Sequence, residues 1–261
     1  ALSAALGTRF SGNGDLLTFL RGTRRRVDGT EVPRPVDPEL GPVITSAIRM
    51  PDTLDGNGDV GRGFYVEDGG NPAFLDWLVQ ASDAPVMTAK LAAFLARRAT
   101  AHLVGRPRAN LSSDISALLG GGERSSTLLP VLSMGRDVPD GTLRLRGGDL
   151  DLDWTTQASA TYFDRVEKTV GAIAEVLGAK LANTPMWLFK KVITVHPLGG
   201  VPMGEHPGVG VVDRFGEVFS YPGLHVVGGS VMPGPVGANP SLTITAFAEH
   251  AAARIVDQGK P

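Results

Sequence analysis

A stretch of closely spaced glycines that leads into a capped helix constrains this chain more than any other feature. Eleven glycines lie between His196 and Asn239, a span of 44 residues, and short apolar segments separate them. Asn239 and Pro240 have the residue types favoured at the N-cap and first position of a helix, and apolar residues continue at helical spacing to Ile255. Glycines let a backbone approach a ligand closely, and a helix N-terminus attracts negative charge. The pattern therefore favours a ligand site over turn-rich packing alone.

The rest of the chain predicts strands and helices in irregular alternation. Apolar runs bounded by turn residues predict strands, and the apolar face of Ser159 to Leu177, closed by Gly178, predicts a helix with Ser159 as its N-cap. The chain is therefore expected to be α+β, with an antiparallel sheet. Further strands are expected at 63–67, 128–134, 142–146, 150–154, 209–212 and 224–227, and further helices at 71–78, 84–104 and 240–255.

Composition and charge exclude several classes of protein. The 261 residues include 25 basic and 27 acidic side chains, a balance that lacks the concentrated positive charge of a nucleic-acid binder. The absence of cysteine excludes thiolate metal sites and cysteine nucleophiles, and the five histidines form no short metal-binding pair, so no metal is expected. No run of 18 apolar residues occurs and the first residues lack signal-peptide character, so a soluble chain, cytoplasmic or secreted, is expected. The chain also lacks an initial Met, which indicates a processed or excised piece.

A dinucleotide-binding motif is matched only superficially. Gly56 to Gly61 fits the G-x-G-x-x-G pattern, but the motif needs a strand before it and a helix after it. Neither is expected here, so this chain has no dinucleotide fingerprint of its own. A solvated turn is the simpler interpretation.

His196 stands in a different setting from the other histidines. It is expected at the end of the strand in the segment VITVHPLGG, where the chain enters the glycine-rich region. A histidine held by a strand and facing a cleft suits acid–base chemistry near neutral pH. Asn239, at the far end of the same region, has helix capping as its simplest role.

These residues also carry a family resemblance. The segments HPLGG at 196–200 and GANPSLTITAFAE at 237–249 resemble the C-terminal signature of the GMC flavin oxidoreductases, and look most like those of the bacterial cholesterol oxidases. More loosely, FSGNGDLLTF at 10–19 resembles a segment near the flavin, and GFYVEDGG at 63–70 resembles a strand that carries an active-site glutamate.

The resemblance implies the C-terminal half of an FAD-dependent enzyme. Residues 1–24 would be a flavin-proximal segment, 25–190 the substrate-binding domain, and 191–261 the C-terminal part of the FAD-binding domain. The Rossmann part is absent from this chain, so an N-terminal FAD-binding polypeptide of the same enzyme is the implied partner.

The resemblance also implies site residues. It assigns His196 to the substrate hydroxyl, Asn239 to a place beside the flavin, and Glu67 to the proton transfer of steroid double-bond isomerisation. A solvated strand-end carboxylate is the alternative for Glu67. The implied flavin-binding residues are Asn13, Gly14, Gly229, Asn239, Pro240 and Ser241.

The expected function is FAD-dependent oxidation of a secondary alcohol, with a 3β-hydroxysteroid as the favoured substrate. A GMC alcohol or sugar dehydrogenase with an acceptor other than oxygen is one alternative, and an inactive fragment or binding subunit is another. The predicted helix Ala84–Val104 is either a cover over an apolar substrate, a contact with a membrane surface, or a helix with a solvated basic face.

Overall fold

The structure is a computed structural model of the chain, and it describes residues 2–34, 44–51, 63–69 and 128–258. The predicted helices at 71–78 and 84–104, and the glycine motif at 56–61, lie outside these ranges.

Five antiparallel strands form the main sheet, in the spatial order β4-β5-β6-β1-β9. Two further strand pairs, β2–β3 and β7–β8, are separate hairpins. The strands are β1 (Leu16–Arg21), β2 (Arg24–Val27), β3 (Thr30–Pro33), β4 (Ala47–Met50), β5 (Phe64–Asp68), β6 (Leu128–Met134), β7 (Thr142–Arg146), β8 (Asp149–Asp153) and β9 (Lys180–Asn183).

Helix α1 (Ala160–Val176) covers one face of this sheet. Its apolar stripe is buried, as its helical periodicity predicts. Gly178 ends the helix in the left-handed conformation, and the N–H of Ala179 donates to the carbonyl of Ala174, which is the Schellman arrangement. The packed residues are Leu16, Leu20, Phe64, Val66 and Val131 from the sheet and Tyr162, Phe163, Val166, Val170 and Ala174 from the helix.

The opposite face of the sheet carries the residues that alternate with this core. Leu17 of β1 is paired with Leu132 of β6, which in turn is paired with Glu67 of β5. Paired residues on neighbouring strands point to the same side of a sheet. The face away from α1 therefore places a carboxylate beside apolar side chains.

The glycine-rich region has a core of its own but little regular structure. Leu198, Val211 and Val231 pack in a second cluster, against which Ile244 and Phe247 of helix α2 (Ser241–Gln258) lie. A one-turn 3-10 helix, Gly229–Val231, precedes α2.

Two strand predictions for this region are wrong. The segments at 209–212 and 224–227 form only isolated bridges, among them Val212 with Val218 and Glu217 with His225. No strand directly precedes His196 either, because residues 191–195 have no regular structure. Frequent glycine and proline interrupt the ladder, since proline lacks a donor and glycine adds little packing.

The α+β class with an antiparallel sheet is confirmed. The strands predicted at 63–67 and 128–134, the 142–154 hairpin and the helix over 159–177 all correspond to observed elements. Ser159 occupies the N-cap position, but its hydroxyl accepts the N–H of Val138 instead of capping the helix. Strand β1 lies within the segment 1–24 and pairs with β6 and β9.

Candidate active site

Residues Ser11–Asp15 form a buried loop between Phe10, which makes an isolated β-bridge with Gly141, and strand β1. Asn13 and Gly14 adopt left-handed backbone conformations, with φ of 55° and 64°, which turn the chain sharply. Tyr162 closes the turn by donating from its hydroxyl to the carbonyl of Gly14 at 2.8 Å. A Cβ on Gly14 would lie 2.6 Å from that hydroxyl, so packing within the protein itself requires glycine at this position.

Asp137 accepts hydrogen bonds from the start of this loop. Its carboxylate accepts the hydroxyl of Ser11 and, at 2.9 Å, the N–H of Gly12. The carboxyl is only 3% exposed. Burial raises its pKa to about 6, against the opposing effect of the Ser11 and Gly12 hydrogen bonds.

Asn13 fastens the loop to the segment that precedes α2. Its side-chain oxygen accepts the N–H of Gly237 at 2.8 Å, and its Nδ2 donates to the carbonyl of Ala238 at 2.9 Å. The side chain is fully buried. Asn13 therefore fixes the backbone directly before Asn239.

Asp15 connects the same loop to His196. The two side chains meet at 3.0 Å, between Asp15 Oδ1 and His196 Nδ1. Asp15 Oδ2 accepts the N–H of Val195 and lies within hydrogen-bond distance of the Thr194 hydroxyl, both at 2.9 Å. That hydroxyl also accepts the N–H of His196 at 2.9 Å. Asp15 is fully buried, whereas the His196 side chain retains 14% exposure.

Glu67 and Asn239, the other two predicted catalytic residues, contact each other. Asn239 Nδ2 lies 3.3 Å from Glu67 Oε2 and donates to it. Glu67 is 5% exposed, so it is not the solvated carboxylate that was the alternative interpretation. Its neighbour Asp68 faces the other way, where Thr45 and Ser46 donate to it. Partial burial alone would raise the pKa of Asp68, but these hydrogen bonds outweigh it and lower the pKa.

The loop Ser11–Asp15 therefore brings the three predicted catalytic residues to one region. Asp15 contacts His196 directly, and Asn13, two residues earlier, holds the backbone beside Asn239. Asn239 in turn contacts Glu67. The site therefore combines the imidazole of His196, the amide of Asn239 and the carboxylate of Glu67 next to a glycine-rich backbone. An imidazole and a carboxylate can move a proton to or from a bound hydroxyl.

The residues that the resemblance implied for flavin binding fall into two groups. Some lie at the start of α2, and the others contact neighbouring groups of the protein. Asn239 and Ser241 are exposed at the start of α2, and Pro240 between them is buried. Gly229 is half-buried, and its Cβ position is crowded, because a Cβ there would lie 3.2 Å from Leu198 and 3.3 Å from Ile244. Asn13 and Gly14 contact protein groups, as described above.

Sequence reasoning missed Asp15 and Asp137. Each is separated from its partner by more than a hundred residues in the chain, since Asp15 and His196 are 181 apart. The only sequence signal for Asp15 was an acidic residue at the start of an apolar strand, which a turn explains equally well.

Within the described ranges, no group of three or more histidine, aspartate or glutamate side chains could hold a metal ion. No helix in that part of the chain is long and apolar enough to cross a membrane.

Part of the chain matches a family of known proteins. Residues 137–248 match the family model of the GMC oxidoreductases, in its C-terminal domain. For this part of the chain the match confirms the resemblance predicted from the sequence motifs.

Several of the similar proteins are named as oxidases. A cholesterol oxidase of Mycobacterium tuberculosis is 42% identical over 73 residues, which is 28% of this chain and 13% of that protein. A cholesterol oxidase of Acinetobacter baumannii is 48% identical over 64 residues, 24% of this chain and 12% of that protein. A C-glycoside 3-oxidase of Arthrobacter globiformis is 29% identical over 104 residues, 40% of this chain and 20% of that protein.

Solved structures share the fold along almost the whole chain. Pyridoxine 4-oxidase from Mesorbium loti aligns with 97% of this chain and 44% of its own, at a TM-score of 0.54 and 16% identity. Formate oxidase from Aspergillus oryzae aligns with 98% of this chain and 48% of its own, at a TM-score of 0.53 and 16% identity. The chain thus spans about half the length of these oxidases.

Proposed function

We propose that this chain supplies the substrate-facing half of an FAD-dependent alcohol oxidase, and that the favoured substrate is a 3β-hydroxysteroid. The observation that carries the proposal is the contact of buried Glu67 with the Asn239 amide, joined through the loop Ser11–Asp15 to His196. The match of residues 137–248 to the GMC oxidoreductase family model and the similarity to cholesterol oxidases support it.

In this proposal His196 receives the proton of the substrate hydroxyl on Nε2, the ring nitrogen that does not contact Asp15. Bound FAD would supply the other half of the oxidation by accepting a hydride from the carbinol carbon. Asn239 would orient the substrate oxygen with its amide. A positioned acid–base group is worth roughly 10²- to 10⁴-fold in rate.

The start of α2 fits the anionic edge of a flavin. The first N–H groups of a helix have no acceptor within the helix, and the helix dipole favours negative charge there. Ser241, Leu242 and Thr243 are exposed at this end, and a Cβ on nearby Gly228 would meet no other atom within 4 Å. We assign flavin contact to Gly229, Asn239, Pro240 and Ser241, and we assign Asn13 and Gly14 to positioning that segment.

An N-terminal FAD-binding polypeptide is the proposed partner. The outward residues of α2 include exposed apolar side chains, among them Leu242 at 80% and Val256 at 60%. Soluble proteins seldom leave such helix faces uncovered. We therefore propose that stoichiometric FAD binding requires that polypeptide, and flavin retained by this chain alone after gel filtration would contradict the proposal.

Glu67 is the reason for favouring a sterol. After the hydroxyl of a 5-ene sterol becomes a ketone, a proton must leave C4 and one must be added at C6 to give the conjugated 4-en-3-one. A carboxylate can carry that single proton from one carbon to the other, with no net change in the protein. The buried position of Glu67 beside Leu132 suits an apolar substrate.

Steady-state rates with a 3β-hydroxy-5-ene sterol test both assignments in the reconstituted flavoenzyme. His196→Ala should lower turnover about 100-fold or more, with flavin absorbance per mole unchanged. Glu67→Gln should preserve ketone formation and slow formation of the conjugated enone, because glutamine can still accept from Asn239 but cannot carry a proton. An equal loss of both products in Glu67→Gln would reduce Glu67 to a role in binding or folding.

A sugar or other polar alcohol is the second candidate, with an acceptor other than oxygen. A cavity of about 200 Å³ beside the segment 236–238 is lined in part by Arg49 and Arg136, whose donors suit hydroxyl groups. Similarity to the C-glycoside 3-oxidase supports this candidate. Turnover of glycosides with a dye acceptor, and none of sterols with oxygen, would favour it. A colourless, folded complex would favour an inactive or binding subunit.

A further inference from the structure

We infer that Asp15 is a positioning residue that fixes the proton of His196 on Nδ1 and leaves Nε2 free to accept the substrate proton. This inference rests on the proposed role of His196 as the base. It concerns a residue that the sequence motifs did not single out.

The contact between the two side chains decides the tautomer. An ionised carboxylate can only accept hydrogen bonds, so a ring nitrogen 3.0 Å from Asp15 Oδ1 must carry a proton. In neutral imidazole only one nitrogen is protonated. The other, Nε2, then has its lone pair available, and the His196 side chain is not fully enclosed, since 14% of it is exposed.

The second carboxylate oxygen prevents Asp15 from turning away. Val195 donates its N–H to Oδ2 at 2.9 Å, and the Thr194 hydroxyl lies at the same distance. The same hydroxyl accepts the N–H of His196. Asp15 therefore contacts three consecutive residues: the hydroxyl of Thr194, the backbone N–H of Val195 and the ring of His196.

Burial makes this arrangement effective when the proton arrives. Once Nε2 accepts the substrate proton the ring is a cation, and the fully buried carboxylate faces it at 3.0 Å. Water does not screen a pair of this kind as it does a surface pair. Asp15 thus favours the charged state that the reaction produces, without touching the substrate.

A purely structural role for Asp15 is the competing explanation, because it also fastens residues 194–196. A double-mutant cycle separates the two roles, since residues that act as one unit are strongly non-additive. In the flavin-loaded complex of this chain with its N-terminal half, Asp15→Asn should lower kcat about 100-fold and leave KM within about threefold. In a His196→Ala background the same substitution should change kcat by less than about twofold. Multiplicative losses would overturn the inference.

The protonation site is measured directly, independently of turnover. In the wild-type complex labelled with ¹⁵N-histidine, solid-state NMR should give a protonated Nδ1 and an unprotonated Nε2 for His196, assigned by comparison with His196→Gln. In Asp15→Asn the ring should shift towards the Nε2-protonated form. A wild-type ring protonated on Nε2 would refute the inference even if Asp15→Asn fails to fold. Full turnover in His196→Ala would instead refute the proposed function and leave the tautomer result standing.

Discussion

The buried carboxyl of Asp137 should make the stability of this protein depend on pH in a defined window. Its pKa is about 6 in the folded protein against 3.8 for the ordinary group. Each pKa unit corresponds to about 1.4 kcal/mol, so a difference of about two units is worth about 3 kcal/mol. Because the folded pKa is raised, this stability is fully present below pH 4. It is lost as the pH rises to about 6 and changes no further above that.

Asp137→Asn should remove this dependence, because an amide does not titrate. The measurement is the free energy of unfolding in urea, from pH 4 to pH 8, for the flavin-loaded complex with and without the substitution. The wild-type value minus the variant value should fall by about 2 kcal/mol between pH 4 and pH 6.5, which is most of the total change. Asp140→Asn, which removes an exposed carboxylate from the same segment, is the control for the loss of one charge. A difference that is constant across the range would refute the raised pKa.

Two further pairs of substitutions test the loops that support the site. Gly199→Ala should destabilise by more than about 3 kcal/mol in thermal unfolding, because a Cβ there would lie 1.9 Å from the Arg9 carbonyl oxygen and φ is +84°. Gly147→Ala, at φ +61° with no atom within 4 Å, should cost only about 1 kcal/mol, and equal effects would contradict the steric argument. Asn13→Ala should cost about 2–4 kcal/mol by leaving the Gly237 N–H and its neighbouring carbonyl unpaired. Asn13→Gly, which relieves the backbone strain at φ +55°, should recover only about 1 kcal/mol of that loss.

The elements that could be predicted from sequence are those whose signals are local. Helix α1 shows its apolar stripe over 17 residues and ends at a glycine whose left-handed φ the C-terminal motif requires. Strands β5 and β6 are short apolar runs between turn residues, and the β7–β8 hairpin has the pair Gly147-Gly148 at its turn. In each case the residues that determine the element are neighbours in the chain.

The strands expected in the glycine-rich region failed for an identifiable reason. Short valine-rich segments such as Val209–Val212 suggest a strand, but this one only contributes Val211 and Val212 to the second core cluster. A ladder also needs a partner in register, and the glycines and prolines on either side allow single bridges only. The hydrophobicity of this segment therefore predicted correctly that Val211 and Val212 are buried, and incorrectly that the segment pairs as a strand.

Some of the residues proposed for the site stand out in the sequence, but the contacts between them do not. His196 and Asn239 stand at conspicuous places in the sequence, beside glycines and at a helix start. Asp15 and Asp137 do not, because a buried carboxylate and a turn aspartate have the same local sequence. A buried carboxylate and a turn aspartate can be distinguished only in the folded structure, which brings Asp15 and His196 together from positions 181 apart in the chain.

The position of the loop Ser11–Asp15 explains how two irregular regions can form one precise site. Asp15 leads directly into β1, the strand between β6 and β9, and β6 is paired with the strand that carries Glu67. The sheet thus fixes Glu67 relative to the loop, and the loop fixes His196 and the backbone before Asn239 through side chains that are fully buried. Groups that must act together within hydrogen-bond distance need such rigid support, because a shift of about 1 Å can cost 100-fold in rate. The glycine-rich region has few backbone ladders of its own, so its precision derives from Asn13 and Asp15.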